Sequence, residues 1–530
     1  MKTRILFCGW ILLAGLSSKS LAQREVGEVI FQADFDAPDA LNAWQTAPKE
    51  AVRIVPGRQG GHALEVEVPL NHAGPAFARM ALPVEKFAGS LLKCEAMVNA
   101  DGVGTPPQAW NGVKVMLHFG RPGGDLWLQR DNIYGTFDWK LLHRKVEVPA
   151  DITSAELLLG LESVSGRAKF DDVKITLLRG PRVRPSTPPI GPVYTGHDAP
   201  RLRGVMVSTR IKEADLEVLG KEWGANHIRW QLTWDGFPHS PADNGDLASY
   251  DEWLAGALKH MDELLPLCEK VGIKVLIDLH TLPGGRSPQN ECRLFQEKRF
   301  QDNFLGWWEK IAARYRGNKT IWGYDLANEP IEGDVAKDCM DWQELATAAA
   351  RTVRKSDPDH AIIVEPAPGG GVDALANLEP LPVPGVVYSV HMYSPHQFTH
   401  QGVYGTPVGV RYPGIIAGNH WDKETLRHAL QPALEWQQDH GVQLYIGEFS
   451  AIRWAPDESA YRYLKDCIDI FEDNRWDWAY HAFREWNGWS VEHGPDPSDS
   501  APSKTQTSRE KLLRSWFEKT KEGEKNGRAN

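Results

Sequence analysis

The chain is poor in cysteine, with six in 530 residues, and one of them, Cys8, lies in an N-terminal apolar run. The five left, Cys94, Cys268, Cys292, Cys339 and Cys467, are too few and too odd in number for a disulfide scaffold. Cys268 and Cys467 fall in helical patterns and read as apolar filler. Cys292 and Cys339 lie in two consecutive loops, where a loop-tying disulfide is expected as an option. Positive charge is also scarce: Lys and Arg total 59 against 70 Asp and Glu, a net charge of −11. That balance argues against a nucleic-acid or anionic-membrane partner. Beyond the first residues no apolar run is long enough to span a bilayer. No phosphate cradle is present, because Pro368-Gly-Gly-Gly lacks a following Lys-Ser/Thr. His391, His396 and His400 do not have the spacing of a zinc site.

Tryptophan is abundant, at 21 residues, and supplies both core bulk and flat faces with one polar edge. Residues 1–22 carry Lys2 and Arg4, an apolar run from Ile5 to Leu16, and Ser20-Leu-Ala22. This is the pattern of a secretory signal peptide, so the mature protein is expected outside the cytoplasm, soluble and monomeric. From 23 to 180 short apolar or alternating runs, such as Ala63-Leu-Glu-Val-Glu-Val and Val113-Lys-Val-Met-Leu-His-Phe, are separated by Gly, Pro, Asn and Asp. An antiparallel β-sandwich is the expected fold. Proline density over 181–200 marks a stiff linker.

After Arg201 the pattern alternates strand with helix. Strands are expected near 203–208, 225–231, 273–279, 321–327, 361–366, 386–392, 442–448 and 478–483. Helices lie between them and a last one is expected near 509–519. Eight such units make a (β/α)₈ TIM barrel over 201–520, followed by a charged tail at 521–530. In this fold the chemistry gathers at the carboxyl ends of the strands. Those ends offer Arg229, His280, Asn328 with Glu329, His391 with Tyr393, Glu448 and, just past the eighth, Trp486. Two carboxylates on one rim are the minimum for cleaving a glycosidic bond. The lone Asp278-Leu-His280 does not furnish the ligand clusters of a metal-dependent barrel hydrolase.

Asn328-Glu329-Pro330 after the fourth strand, Gly447-Glu448-Phe449 on the seventh, His391-Met-Tyr393 and Ile228-Arg229 together resemble glycoside hydrolase family 5, the cellulase family, over roughly 201–500. The resemblance implies that Glu329 is the acid/base and Glu448 the nucleophile of a retaining double displacement. It implies that Asn328 holds the sugar 2-OH, that His280 and His391 orient hydroxyls or carboxylates, and that Trp486 stacks under the sugar. Arg229 and the Tyr393 hydroxyl suit a role in keeping Glu448 ionised. Trp230, Trp234, Trp421, Trp454 and Trp489 are candidates to line a cleft, and Ser394 to Trp421 reads as a rim loop. Trp307 and Trp308 suit helix packing. The 23–180 segment resembles jelly-roll carbohydrate-binding modules, with Trp110, Trp127, Tyr134 and Trp139 as candidate platforms. A structural calcium at acids such as Asp34 or Asp171 is an option there; no other cofactor is implied. The expected substrate is a β-1,4-linked polysaccharide, most plausibly a glucan. β-Mannan, xyloglucan or a short oligosaccharide remain open, as does a non-catalytic polysaccharide-binding protein.

Overall fold

The computed structural model describes residues 27–72, 75–122, 125–181, 193–234, 241–333, 335–403 and 405–527. The signal segment and most of the linker lie outside the described residues. The chain divides into two compact units, Met1–Val183 and Arg184–Asn530.

The first unit is two antiparallel sheets. Its strands are β1 (Val29–Ala33), β2 (Gln45–Ala47), β3 (Val52–Pro56), β4 (His62–Val68), β5 (Pro75–Ala81), β6 (Leu91–Val103), β7 (Gly112–Gly120), β8 (Leu126–Leu128), β9 (Gly135–Glu147), β10 (Ser154–Glu162) and β11 (Gly166–Arg179). One sheet runs β3-β4-β11-β6-β9, with β1 also paired to β11, and the other runs β2-β5-β10-β7-β8. Strand β11 is long enough that one edge takes β4 along Gly166–Phe170 and β1 along Val173–Thr176. Leu64, Val66, Ala96, Val98, Leu157, Leu159, Ala168 and Phe170 recur every second residue and fill the space between the sheets. Trp110, Trp127 and Tyr134 are exposed, and Trp127 stacks on His118 at 3.7 Å.

The second unit is a closed parallel barrel of β12 (Arg203–Val207), β13 (His227–Gln231), β14 (Lys274–Asp278), β15 (Ile321–Asp325), β16 (Ala361–Val364), β17 (Val386–Met392), β20 (Leu444–Phe449) and β21 (Asp477–Tyr480). A short hairpin, β18 (Gly414–Ile416) with β19 (Asn419–Trp421), lies inside the segment expected as a rim loop. The helices are α1 (Glu213–Glu217), α2 (Leu247–Val271), α3 (Lys298–Tyr315), α4 (Trp342–Ser356), α5 (His396–Thr399), α6 (Lys423–His440), α7 (Ser459–Asp473) and α8 (Ser508–Gly527). Asp246, Asp341 and Asp422 cap helix starts, each accepting backbone N–H groups of the first turn. The tail expected to begin at 521 is instead helical through Gly527, continuous with α8.

Barrel strands are buried on both faces, and the faces differ. Outward residues such as Val205, Ile228, Trp230, Val275, Ile277, Tyr324, Ile362, Val390 and Ile446 pack against the helices. Trp230 is therefore a correction: it is fully buried in the helix layer rather than lining a cleft. Trp307 and Trp308 lie in the same layer, as their helical positions suggested. Inward residues near the strand starts, among them Met206, Leu276, Trp322, Ile363, Val387, Tyr445 and Ala479, form a separate apolar plug. His227 sits with it, edge-on to Trp322 at 5.2 Å and 2.8 Å from the Tyr445 hydroxyl. Burial lowers the His227 pKa to about 3, so it is a neutral ring.

Two irregularities set the inward register further up. Pairing slips by one residue between Val275–Ile321 and Leu276–Gly323, and again between Val390–Ile446 and His391–Glu448. The second bulge turns Gly447 and Glu448 toward the same interior. A Cβ at Gly447 would lie 2.4 Å from Ser389 Oγ, so only glycine fits there.

Packing at the barrel wall predicts opposite outcomes for two glycine substitutions. A Cβ at Gly204 would meet the His227 carbonyl oxygen at 2.0 Å, whereas one at Gly256, on the exposed side of α2, meets nothing within 4 Å. Gly204→Ala is expected to destabilise the barrel by about 1–3 kcal/mol or more. Gly256→Ala is expected to stabilise it by about 0.5–1 kcal/mol. Thermal unfolding of both variants checks the pair.

Candidate active site

Above the apolar plug the barrel interior becomes ionic. Arg229, at the centre of β13, is fully buried and faces four carboxylates: Glu365 at 2.7 Å, Glu448 at 2.8 Å, Asp325 at 2.9 Å and Asp278 at 3.2 Å. Its Nη2 also donates to Asn328 Oδ1 at 3.1 Å. One guanidinium, with five N–H donors in a fixed plane, thus spaces the ends of five strands. Asp325 and Glu448 are shifted in opposite directions. Burial raises the Asp325 carboxyl well above its ordinary value despite Arg229, with Glu365 and Asp278 adding to the rise. Asp325 Oδ1 has no hydrogen-bond partner, and neither has Asp278 Oδ1.

Glu448 is the contrasting case. Burial alone would raise its carboxyl, but His391, His481, Arg229 and His280 together hold it well below the ordinary carboxylate range. The Tyr393 hydroxyl donates to its Oε2 at 2.9 Å. Burial and the Glu448 charge in turn push the tyrosine well above its usual value, so it stays a donor.

Glu329 is more open, with its side chain 36% exposed. Its backbone is left-handed, with φ of 44°, which a non-glycine residue adopts at a cost of about 1–2 kcal/mol. The Glu365 carboxylate accepts the Glu329 N–H at 2.8 Å and so secures that conformation. His391 bridges the two halves: Nδ1 is 2.9 Å from Glu329 Oε1 and Nε2 is 3.1 Å from Glu365 Oε1. Burial disfavours its charge, yet Glu365, Glu448 and Glu329 raise its pKa well above the ordinary value.

Seven of the eight expected residues come together at this cluster. His280 enters through Asp278, 2.8 Å from its Nδ1. Trp486 stands apart, 42% exposed at the rim and edge-on to Trp454 and Trp489 at 6.1 and 5.4 Å. It reaches the cluster only through Trp489, which packs 6.1 Å from Tyr393 and 6.0 Å from His481. Trp234 is half-buried and stacks on Trp253 at 5.3 Å.

Four cluster members escaped the sequence reading: Asp325, Glu365, His481 and Glu485. Glu365-Pro366 repeats the Glu-Pro ending of Glu329-Pro330, a signal that was available. His481 was hidden inside the expected strand 478–483, which ends at Tyr480. The expected disulfide does not form. Cys292 is buried and its Sγ accepts the Ile331 N–H at 3.4 Å, while Cys339 is a free, partly exposed thiol.

Among the described residues, Glu329, His391 and Glu448 are the group whose ligand-type atoms lie within 4.8 Å of one another. The imidazole placed between the two carboxylates accounts for that approach. In the sandwich, Asp171 accepts the backbone N–H groups of Asp172 and Arg58, and Asp34 accepts that of Asp36.

A (β/α)₈ barrel with two glutamates facing each other across a histidine at its carboxyl-end rim defines a glycoside hydrolase. The family model for cellulase, glycosyl hydrolase family 5, matches residues 194–487, and the chain belongs to that family. It is 27% identical to endoglucanase C of Acetivibrio thermocellus over 50% of this chain and 81% of that one. It is 27% identical to cellodextrinase A of Ruminococcus flavefaciens over 49% and 75%. It is also 27% identical to a beta-xylosidase of Phanerodontia chrysosporium, over 43% and 48%. No helix among the described residues is long and apolar enough to cross a membrane.

Removing Arg229 strands its carboxylates in a buried space. Arg229→Met is expected to cost about 3–5 kcal/mol of stability and to lose activity beyond what thermal unfolding explains. Unfolding midpoints and turnover measured well below the variant's midpoint separate the two effects.

Proposed function

We propose that the protein is an exported, metal-independent, retaining β-glycosidase that cleaves β-1,4-linked glucan, with Glu448 as nucleophile and Glu329 as general acid/base. The observation that carries this is the separation of the two carboxylates, whose nearest oxygens fall within 4.8 Å. That spacing supports direct attack by one carboxylate, because an inverting pair stands about 6.5–9.5 Å apart to admit a water. In the first step a Glu448 oxygen bonds to the anomeric carbon while Glu329 gives its proton to the departing glycosidic oxygen. In the second, Glu329 takes a proton from water, which attacks the same carbon and releases Glu448.

The charges around each glutamate fit these tasks. Arg229, the Tyr393 hydroxyl and two imidazoles favour an ionised Glu448, while Glu329 is open to incoming leaving group and water. Asn328 gives its carbonyl oxygen to Arg229, which leaves its NH₂ to donate toward a sugar hydroxyl. Trp486, with Trp454, offers an apolar face at the rim for further sugar units. Endoglucanase relatives support a polymer substrate, and the cellodextrinase likeness favours a second reading in which short oligosaccharides are preferred.

Reducing-sugar release from soluble cellulose derivative, mixed-linkage glucan, glucomannan and xyloglucan tests the substrate. Glu448→Gln is expected to lower the rate by about 10⁴-fold or more while binding persists. Glu329→Ala is expected to lose about 10²–10⁴-fold on substrates with poor leaving groups and much less on dinitrophenyl glycosides. Near-normal turnover by Glu448→Gln would overturn the assignment. Release only from cello-oligosaccharides would select the second reading.

A further inference from the structure

Just past the eighth strand stands a histidine that the double displacement leaves without a part. His481 Nδ1 is 2.7 Å from the Tyr393 hydroxyl oxygen and 3.6 Å from Glu448 Oε2. Its Nε2 is sealed from solvent and lies 3.6 Å from Glu485 Oε1. Glu485 in turn accepts the Gln231 Nε2–H at 2.6 Å.

Counting protons along this row leaves little freedom. The Tyr393 hydroxyl has one proton, and the ionised Glu448, an acceptor only, takes it. The Tyr393 oxygen must then receive its second contact from an N–H on His481 Nδ1. On the other side of the ring, a bare Nε2, itself sealed from solvent, would turn its lone pair toward the lone pairs of Glu485. Nε2 therefore carries a proton as well. Donation therefore diverges at His481, to Glu485 on one side and through the Tyr393 hydroxyl to Glu448 on the other, and Glu485 accepts from both His481 and Gln231.

We infer that His481 is a positioning residue held as an imidazolium by Glu485, and that it keeps the Tyr393 hydroxyl aimed at Glu448 through both halves of the reaction. The inference rests on Glu448 being the nucleophile. Glu448 loses its charge when it becomes the glycosyl ester, and with it goes one of the two anions that stabilise the ring. Glu485 does not react, so it retains the proton on His481 until water releases the sugar. The other charged or titratable groups around the ring are Arg229 from β13, His280 beyond β14, and His400 beyond β17. Burial opposes the charged ring, but Glu448 and Glu485 raise the His481 pKa. Burial likewise opposes ionised Glu485, and His481, Gln231 and His280 lower it. The imidazolium is thus present below the raised pKa and is lost as the pH climbs through it.

The test compares wild type, Glu485→Gln and His481→Gln in the full-length protein. ¹⁵N-labelled imidazole resonances are followed from pH 5 to 9, and turnover of 2,4-dinitrophenyl β-cellobioside is measured alongside. Both His481 nitrogens are expected to be protonated at pH 6 in wild type. In Glu485→Gln the ring should titrate at least about one pH unit lower. The alkaline limb of kcat, which reports the enzyme with sugar bound, should move down with it and by more than that of kcat/KM. His481→Gln should lack this limb. A neutral His481 at pH 6 in wild type, or an alkaline limb unmoved in both variants, would overturn the inference. A protein inactive on the cellobioside whose His481 titrates as stated would sink the substrate reading alone.

Discussion

The upper barrel depends on one buried cation. Arg229 touches Asp278, Asp325, Glu365, Asn328 and Glu448 together, and these come from β14, β15, β20, the residue just past β16 and the loop after β15. Burying an ion is costly unless its hydrogen bonds are all made, and here Nε, Nη1 and Nη2 all have carboxylate partners. The carboxylates need the arginine equally. Burial favours the protonated form of Asp325, which lessens the negative charge that one guanidinium must offset, and the acids of the same layer raise the pKa values of His391 and His481.

That ionic layer is tolerable because the lower interior is so different. Trp322, Tyr445, Met206, Leu276, Ile363 and Val387 close the bottom with apolar bulk, and the histidine packed among them, His227, is neutral. Water is thereby kept from the underside of the carboxylates, which strengthens each charge contact above. The plug supplies rigidity and the rim supplies reactivity, within strands of four to seven residues.

Fold class was legible in the sequence because eight strand-like runs alternated with helical stretches, and every barrel strand appears where expected to within three residues at either end. Orientation was not. Strands buried on both faces carry no polar alternation, so nothing in Ile228-Arg-Trp230 says that Arg229 points inward and Trp230 outward. The glutamates were visible because Pro330 and the Gly447-Glu448 pairing mark strand ends. Glu365 and His481 were not, since their strands were read as running past them. The cysteine pairing failed for a further reason: neighbouring loops in sequence need not bring thiols together, and Cys292 had a backbone partner of its own.

The slips of register in β15 and β20 have a consequence for how this chain can change length. Each bulge adds one residue to a strand whose side chains otherwise alternate. Losing Gly447 would restore plain alternation and leave Glu448 on the inner wall, but one residue nearer the start of the strand, in the place Gly447 now holds. Insertions and deletions are therefore filtered unevenly along the barrel. The hairpin-bearing stretch between β17 and α6 lies outside the closed sheet and can lengthen or shorten without altering which way any strand residue faces. At the second bulge a single codon decides how far up the barrel the Glu448 carboxylate stands.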